Sequence, residues 1–297
     1  MNQALEVFIK VVEEQNFSKA ARQLHMSQPA VSQYIRSLET EMGVKLLERT
    51  NKYVRLNKAG EIVYHHAKEV TELYGKMHQL VKDLSSEAIG KLSIGSSYTF
   101  GEYILPGIIA EMKDNFPGIE VTVTIANTFV VADMVANHRL DAGIVEGHFP
   151  DKAELHSEVF AKDRMVVIAS PQHKLTQSQR EITIDDLKNQ NWILREVGSG
   201  TREAAEDIFR NNIFFPASVM QFNSTQPIKS MVEAGAGISL LSEAAIQKEV
   251  RYGDLKVLNV SEMPHIRDFA LLTNSHFQTK ALSVFIDILR SKGNQER

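Results

Sequence analysis

From Lys58 to about Ser86 the chain meets no proline, and past its first turn the only glycine is Gly75. Over that run His66, Val70, Leu73, Met77, Leu80 and Leu84 recur at alternating steps of four and three, the spacing of a heptad seam. A helix of this length is about 43 Å long. Such a rod cannot hide its apolar stripe against a small neighbouring module. It either lies along the rest of its own chain or, the favoured reading, pairs with a second copy through Val70, Leu73, Met77, Leu80 and Leu84. The remaining structure must be built before and after it, and 297 residues leave room for two or three compact units.

No apolar stretch approaches the roughly 18 to 20 residues of a membrane span. The N-terminus lacks the basic-then-apolar layout of a secretory signal, so a cytoplasmic protein without membrane contact is expected. The absence of cysteine excludes a disulfide framework, a thiolate metal site and a cysteine nucleophile. His65 and His66 are neighbours whose side chains should point apart, and neither has a second histidine four residues on. No metal is therefore expected there, and no cofactor is implied elsewhere. The net charge of −4 is unevenly spread: residues 1–16 carry −2, residues 17–58 carry +5 and residues 59–297 carry −7. A basic island in an acidic protein is the footprint of a nucleic-acid module joined to a body with another task, although a chance cluster of solvated lysines fits the charge alone.

The island reads as helices. Ala4, Leu5, Phe8, Val11 and Val12 make residues 2–14 amphipathic. Ser18 can cap a second helix running to about Leu24, and Ser27 can cap a third, with Pro29 in its first turn where a missing N–H costs nothing. In the third helix Val31, Ile35, Leu38 and Met42 form one apolar stripe, while Gln28, Ala30, Ser32, Gln33 and Arg36 share the other face. Amide, guanidinium and short side chains near a helix start suit base edges in a major groove: Gln pairs with adenine, Arg with guanine, and Ala or Pro29 touches a thymine methyl. A plain helical hairpin with a polar surface fits the periodicity equally well. The next stretch, "LLERTNKYVRLNKAG", reads as a short hairpin with Thr50, Asn51 and Lys52 at its tip, Val54 and Leu56 turned inward, and Arg49, Lys52, Arg55 and Lys58 crowded along it. A basic hairpin behind a helix-turn-helix is a wing, placed to grip phosphate.

The frame "AA..L..SQPAVS..I..LE...G..L..R" followed by "V.L..AG" resembles the winged helix-turn-helix of LysR-type transcriptional regulators, almost position by position over residues 1–62. Asn57 stands where that family usually has Thr, a minor departure because both cap helices. The resemblance implies a recognition helix from Ser27 to about Glu41, with Gln28, Pro29, Ser32, Gln33 and Arg36 facing double-stranded DNA and Arg49 in the wing. Ser18, Ser27, Ala30, Lys52 and Arg55 complete the expected DNA-binding set. It also implies that the long helix is the linker of a homodimer reading a pseudo-palindromic promoter site, with a homotetramer and contact to RNA polymerase beyond that.

After "SSEAIG" short apolar strands alternate with helical stretches: "KLSIGSS", "YILPGIIAEMKDNF" broken early by Pro106, "IEVTVTIAN", "VVADMVANHR" and "DAGIVEG". This is the arithmetic of a parallel open sheet with helices on both faces. "RMVVIASP" opens a second lobe, and "RDFALLTN" with the final helix, roughly 279–291, returns to the first. Open α/β sheets bind ligands where strands end and helices begin. Three such junctions, "GSSYTFGE", "EVGSGTRE" and "FNSTQP", offer hydroxyls and free N–H groups, the recipe for holding an anion, although the same residues cap helices everywhere. Arg202 adds a fork suited to carboxylate, sulfate or phosphate.

The family resemblance extends over this body. It implies an α/β protein with an N-terminal all-α winged helix-turn-helix, a long linker helix and a two-lobed α/β effector domain similar to periplasmic binding proteins. The expected boundaries are 1–58 for the DNA-binding domain, 59–88 for the linker and 89–297 for the effector domain, with lobe I at about 89–163 plus 267–297 and lobe II at about 164–266. "IGSSYTFGEYILP" and "REVGSGTRE" are most similar to the subgroup that includes regulators of sulfur assimilation and carbon fixation. Carried over, Ser96, Ser97, Thr99, Asn127, Thr128, Thr201, Arg202 and Thr225 line the cleft for a small anionic effector, with Ser199 and Gly200 at the same junction. Tyr98 stands where Thr is usual and should narrow the site.

A solute-binding protein would share the cleft but not residues 1–60. An enzyme is disfavoured because no G-x-S-x-G, Walker loop, H-E-x-x-H or C-x-x-C is present, and His138, His148 and His156 show no paired spacing.

Overall fold

The computed structural model of the chain describes residues 3–49, 53–83, 88–149, 155–261, 263–274 and 278–293. The chain forms two compact units, residues 1–84 and 85–297.

The first unit carries α1 (Gln3–Glu14), α2 (Phe17–Gln23), α3 (Gln28–Glu41), β1 (Leu47–Arg49), β2 (Val54–Leu56) and α4 (Lys58–Asp83). Ala4, Val7, Phe8 and Val11 of α1 meet Ala20 and Ala21 of α2 and Val31, Ile35 and Leu38 of α3 in one core. The small alanines are what let the helices approach. α3 starts as its sequence dictates: the Ser27 hydroxyl accepts from the Ala30 N–H at 3.3 Å, and Pro29 lies in the first turn. α2 does not. Its cap is Asn16, whose Oδ1 accepts from the Lys19 N–H at 2.9 Å, so Ser18 is already inside the helix. The two positions differ by two residues, and the amide carbonyl of Asn16 is the one placed to reach the third helical N–H. Met42 also departs from expectation: it caps α3 at its C-terminus and is 41% exposed rather than part of the buried stripe.

Glu39, almost fully buried, ties α3 to the hairpin: its Oε1 accepts from the Leu46 N–H at 3.1 Å and its Oε2 from Lys45 Nζ at 3.1 Å. β1 and β2 pair antiparallel, Leu47 opposite Leu56 and Arg49 opposite Val54. The hairpin tip, Thr50, Asn51 and Lys52, lies outside the described residues. Asn57 caps α4 through Oδ1 to the Gly60 N–H at 2.8 Å, and donates from Nδ2 to the Lys45 carbonyl at 2.7 Å. Gly60 is required by space, because a Cβ there would collide with the Leu46 carbonyl oxygen.

α4 spans 26 residues. Ala59, Val63, Tyr64 and Ala67 turn toward the core of this unit. A second face carries Ile62, Val70, Leu73, Met77 and Val81, all exposed, with Leu80 half-buried. Leu84, the last position of the expected seam, lies outside the described residues.

The second unit runs β3 (Gly90–Ser96), α5 (Tyr98–Tyr103), α6 (Leu105–Asn115), β4 (Ile119–Ile125), α7 (Thr128–Ala136), β5 (Ala142–Glu146), β6 (His156–Ala169), α8 (Ile184–Lys188), β7 (Asn191–Arg195), α9 (Gly200–Asn211), β8 (Ser218–Phe222), α10 (Thr225–Glu233), β9 (Ser239–Ser242), α11 (Glu243–Tyr252), β10 (Lys256–Val257), β11 (His265–Thr273) and α12 (Lys280–Gly293). β3 is parallel to β4 and β5, and β7 to β8, as βαβ units require. The sheets are not wholly parallel, however. β11 runs antiparallel to both β5 and β6, and β6 antiparallel to β9 and β10. The chain leaves one lobe along β6 and comes back along β11, so these strands must oppose each other, and they carry one continuous sheet from lobe to lobe.

Each lobe packs apolar side chains on both sheet faces. In the first, Ile94, Phe100, Ile144 and Phe285 fill one side and Val131, Val135 and Leu272 the other. In the second, Trp192, Ala205 and Leu240 fill one side and Ile193, Ile228 and Leu241 the other. The strand ends and helix starts of the two lobes are thereby brought toward the β6–β11 crossing.

Candidate DNA-reading face and ligand cleft

The outward side of α3 is short, polar and solvated. Gln28, Pro29, Gln33 and Arg36 are exposed, and Ala30 and Ser32 are half-buried. Gln28 Nε2 donates to Ser32 Oγ at 3.0 Å, while Gln33 and Arg36 find no side-chain partner among the described residues. Tyr34, on the flank, donates to Gln3 Oε1 at 2.7 Å and fixes α3 against α1. A rigid helix with solvated amides and a guanidinium is what base edges need, because hydration is all that binding displaces. In the hairpin Arg55 is exposed with its guanidinium 4.9 Å above the Tyr53 ring, and Arg49 sits in β1 opposite Val54. Lys52 lies outside the described residues.

The cleft is organised by a residue that sequence reasoning misses. Arg267, in β11, is 8% exposed and joins both lobes. Its Nη2 donates to Thr99 Oγ1 at 3.0 Å on α5, and its Nη1 to Thr201 Oγ1 at 3.2 Å on α9. Its Nε donates to Asp163 Oδ2 on β6 at 2.8 Å, and its Nη1 stands 3.6 Å from Glu146 Oε1 at the end of β5. Ser242 donates to the other oxygen of Asp163 at 2.6 Å. Ser97 donates to Glu146 Oε2, and Thr128 to the Glu146 carbonyl at 2.7 Å. Burial pushes the Glu146 carboxyl above the usual carboxylate range, against the opposing pull of Arg267 and the Ser97 hydroxyl. The backbones close on each other too: a Cβ on Gly200 would collide with the Glu146 carbonyl oxygen, so only glycine fits.

The other expected cleft residues divide. Ser96 is fully buried with its hydroxyl on the Ser97 carbonyl at 3.1 Å, and Ser199 caps α9 by accepting from the Thr201 N–H at 3.2 Å. Asn127 caps α7, accepting from the Val130 N–H at 3.0 Å. Thr225 is buried at the start of α10 and makes no hydrogen bond to the Arg267 cluster. Arg202 is not brought to the cluster: its Nε donates to Glu206 at 2.6 Å and its Nη1 to the Arg195 carbonyl at 3.3 Å. A second buried cation comes instead from Arg195, held by Glu196 at 2.7 and 2.9 Å, with its guanidinium 4.2 Å over the Tyr98 ring. The bulk of Tyr98 thus bridges the lobes by a cation–π contact. His148, which shows no paired spacing in the sequence, closes the same seam from outside: its N–H donates to Glu203 Oε2 at 2.6 Å and its ring meets the same carboxylate.

One signal could have found Arg267. It shares the inward face of β11 with Phe269 and Leu271 at a spacing of two. A charge on the buried face of an apolar strand must have partners.

Residues 2–61 match the bacterial regulatory helix-turn-helix protein, lysR family, and residues 85–294 match the LysR substrate binding domain. The protein belongs to the LysR family of DNA-binding transcriptional regulators. It is 36% identical over 288 residues to the HTH-type transcriptional regulator CysL of Bacillus subtilis (strain 168), covering 97% of this chain and 96% of that one. Among solved structures it is similar to the Synechocystis PCC6803 CcmR regulatory domain in complex with 2-PG, at 28% identity and a TM-score of 0.63, over 69% of this chain and 97% of that one. Full-length CbnR complexed with its target DNA shares the fold, with a TM-score of 0.71 at 20% identity over 98% of this chain and 99% of that one. The match over residues 2–61 removes the solute-binding alternative. The relatives are regulators rather than enzymes. No described helix is long and apolar enough to cross a membrane.

Proposed function

We propose that this regulator acts in the cytoplasm, that its promoter binding is modulated by a small anionic metabolite held between the lobes, and that copies associate through α4. The observation that carries the effector reading is Arg267, a buried guanidinium that holds helix-start hydroxyls of both lobes at once. An anion entering there meets the N-terminal ends of α5 and α9, the Thr99 and Thr201 hydroxyls, and a cation it can share with Asp163. The similar CcmR regulatory domain in complex with 2-PG supports a small-molecule effector for this domain. Because the Arg267 contacts span the lobes, a ligand that prefers one lobe arrangement shifts the equilibrium between arrangements. The exposed row Val70, Leu73 and Met77 supports pairing of α4 with a second copy, which sets two α3 helices on one DNA site.

The test is a thermal-shift screen of the full-length protein with sulfate, phosphate, 2-PG and small carboxylates. A ligand of the native state at about 100 times its Kd adds about 2.7 kcal/mol. At least one anion is expected to raise the melting temperature of the wild type and to lose that effect in the Thr99→Val, Thr201→Val double variant. An undiminished shift in the double variant contradicts the assignment.

A further inference from the structure

The row of seam positions on α4 begins with a cluster that neither DNA nor effector binding uses. His65 Nε2 lies 3.3 Å from Glu69 Oε1, and His66 Nδ1 lies 2.9 Å from Glu69 Oε2. The two imidazole centroids are 5.1 Å apart, edge to face. Successive residues on a helix diverge by about 100°, so adjacency alone leads one to expect rings that point apart. The Glu69 carboxylate, three and four residues on, gathers both rings. The three ligand atoms lie within 4.8 Å of one another, and among the described residues no other group of His, Cys, Asp and Glu is so disposed.

We infer that His65, His66 and Glu69 form a binding site for a divalent transition cation of the Zn2+ class. Two imidazole nitrogens and one carboxylate oxygen are a donor set that suits Zn2+, whereas Mg2+ and Ca2+ select oxygen alone. Tetrahedral coordination at the usual Zn–N and Zn–O lengths sets ligand atoms about 3.4 Å apart. Each ring meets a different oxygen of Glu69, and with one oxygen as ligand the three atoms, now within 4.8 Å of one another, have a small gap to close to reach that separation. The His65 and His66 side chains are 65% and 66% exposed, so rotation of the rings in solvent closes it. Three protein ligands leave a fourth position for water or a further donor. All three come from one stretch of one helix, so occupancy does not require α4 to be paired.

The experiment is calorimetric titration of tag-free full-length protein with ZnCl2 at about pH 7 in a non-chelating buffer, with circular dichroism to confirm that each variant keeps its helix. The wild type is expected to bind one Zn2+ per chain in a component that Glu69→Gln and His66→Ala each weaken about tenfold or more, at least the loss that removing an outer-shell partner causes. His78→Gln, farther along the same helix, should leave it unchanged. An isotherm identical in wild type, Glu69→Gln and His66→Ala, or no uptake of Zn2+ by the wild type, overturns the site.

Discussion

The outer face of α3 and the interlobe cleft are built from the same few residue types, hydroxyls, amides and guanidinium groups, yet they are opposites in structure. On α3 Gln33 and Arg36 stand in water with no side-chain partner among the described residues. In the cleft the comparable groups are buried and engaged: Thr99 and Thr201 by Arg267, Arg267 by Asp163, and Ser97 by Glu146. Under the proposed function the difference follows from what each surface meets. A polymer docks from outside, so its reader can leave polar groups to water until contact. A small ligand enclosed between lobes requires a dry site, and a dry polar site must satisfy itself.

The largest effect that sharpens this contrast is expected from Arg267→Met. It strands Asp163 and Glu146 in the interior, and breaking a buried pair in this way costs about 3–5 kcal/mol. Chemical denaturation followed through the fluorescence of Trp192, the single tryptophan, should show that loss, whereas Arg36→Met should leave the same transition in place. Next comes Gln33→Ala, expected to cost about 1–3 kcal/mol of discrimination at one base position with no change in folding. Binding measured on a panel of single-base operator variants checks it, and a uniform loss across the panel would move base reading elsewhere on α3. Ser27→Ala removes the cap of α3 and should lower stability of the first unit by about 1 kcal/mol, read by thermal melting at the helical circular dichroism band.

A fourth expectation concerns pH. A carboxyl whose pKa is higher in the folded than in the unfolded state takes up a proton on folding. Its contribution is therefore present below the ordinary glutamate value of 4.5 and lost as the pH climbs from there toward the raised value. Glu146→Gln should flatten the decline of melting temperature above that pH. An unchanged pH profile would mean that Arg267 and Ser97 offset burial at this carboxyl.

The same contrast explains what is legible in the sequence. α3 is legible because its signals are local: a capping serine, a proline in the first turn, and an apolar stripe at Val31, Ile35 and Leu38. The one misplaced cap, Ser18 for Asn16, arises where two good capping residues flank the same helix start. Met42 misleads because the periodicity runs one residue past the end of α3, onto its C-cap. In the cleft the helix-start hydroxyls can be read, being junction chemistry, but their partners cannot. Arg267 is 168 residues from Thr99 and 104 from Asp163, and only the return of β11 between β5 and β6 brings them together. Arg202 is the nearer guanidinium in sequence, and Glu206, one turn on in α9, takes it.

Occupancy of the Arg267 cleft is proposed to be coupled to DNA binding through α3. The direct measurement is fluorescence anisotropy of labelled promoter DNA titrated with full-length protein, with and without a saturating anion that raises the melting temperature of the wild type. The anion is expected to change DNA affinity about fivefold or more, a coupling of at least about 1 kcal/mol, and DNA to change anion affinity reciprocally. An anion that stabilises the protein through Thr99 and Thr201 yet leaves both the affinity and the footprint on DNA unchanged would contradict it.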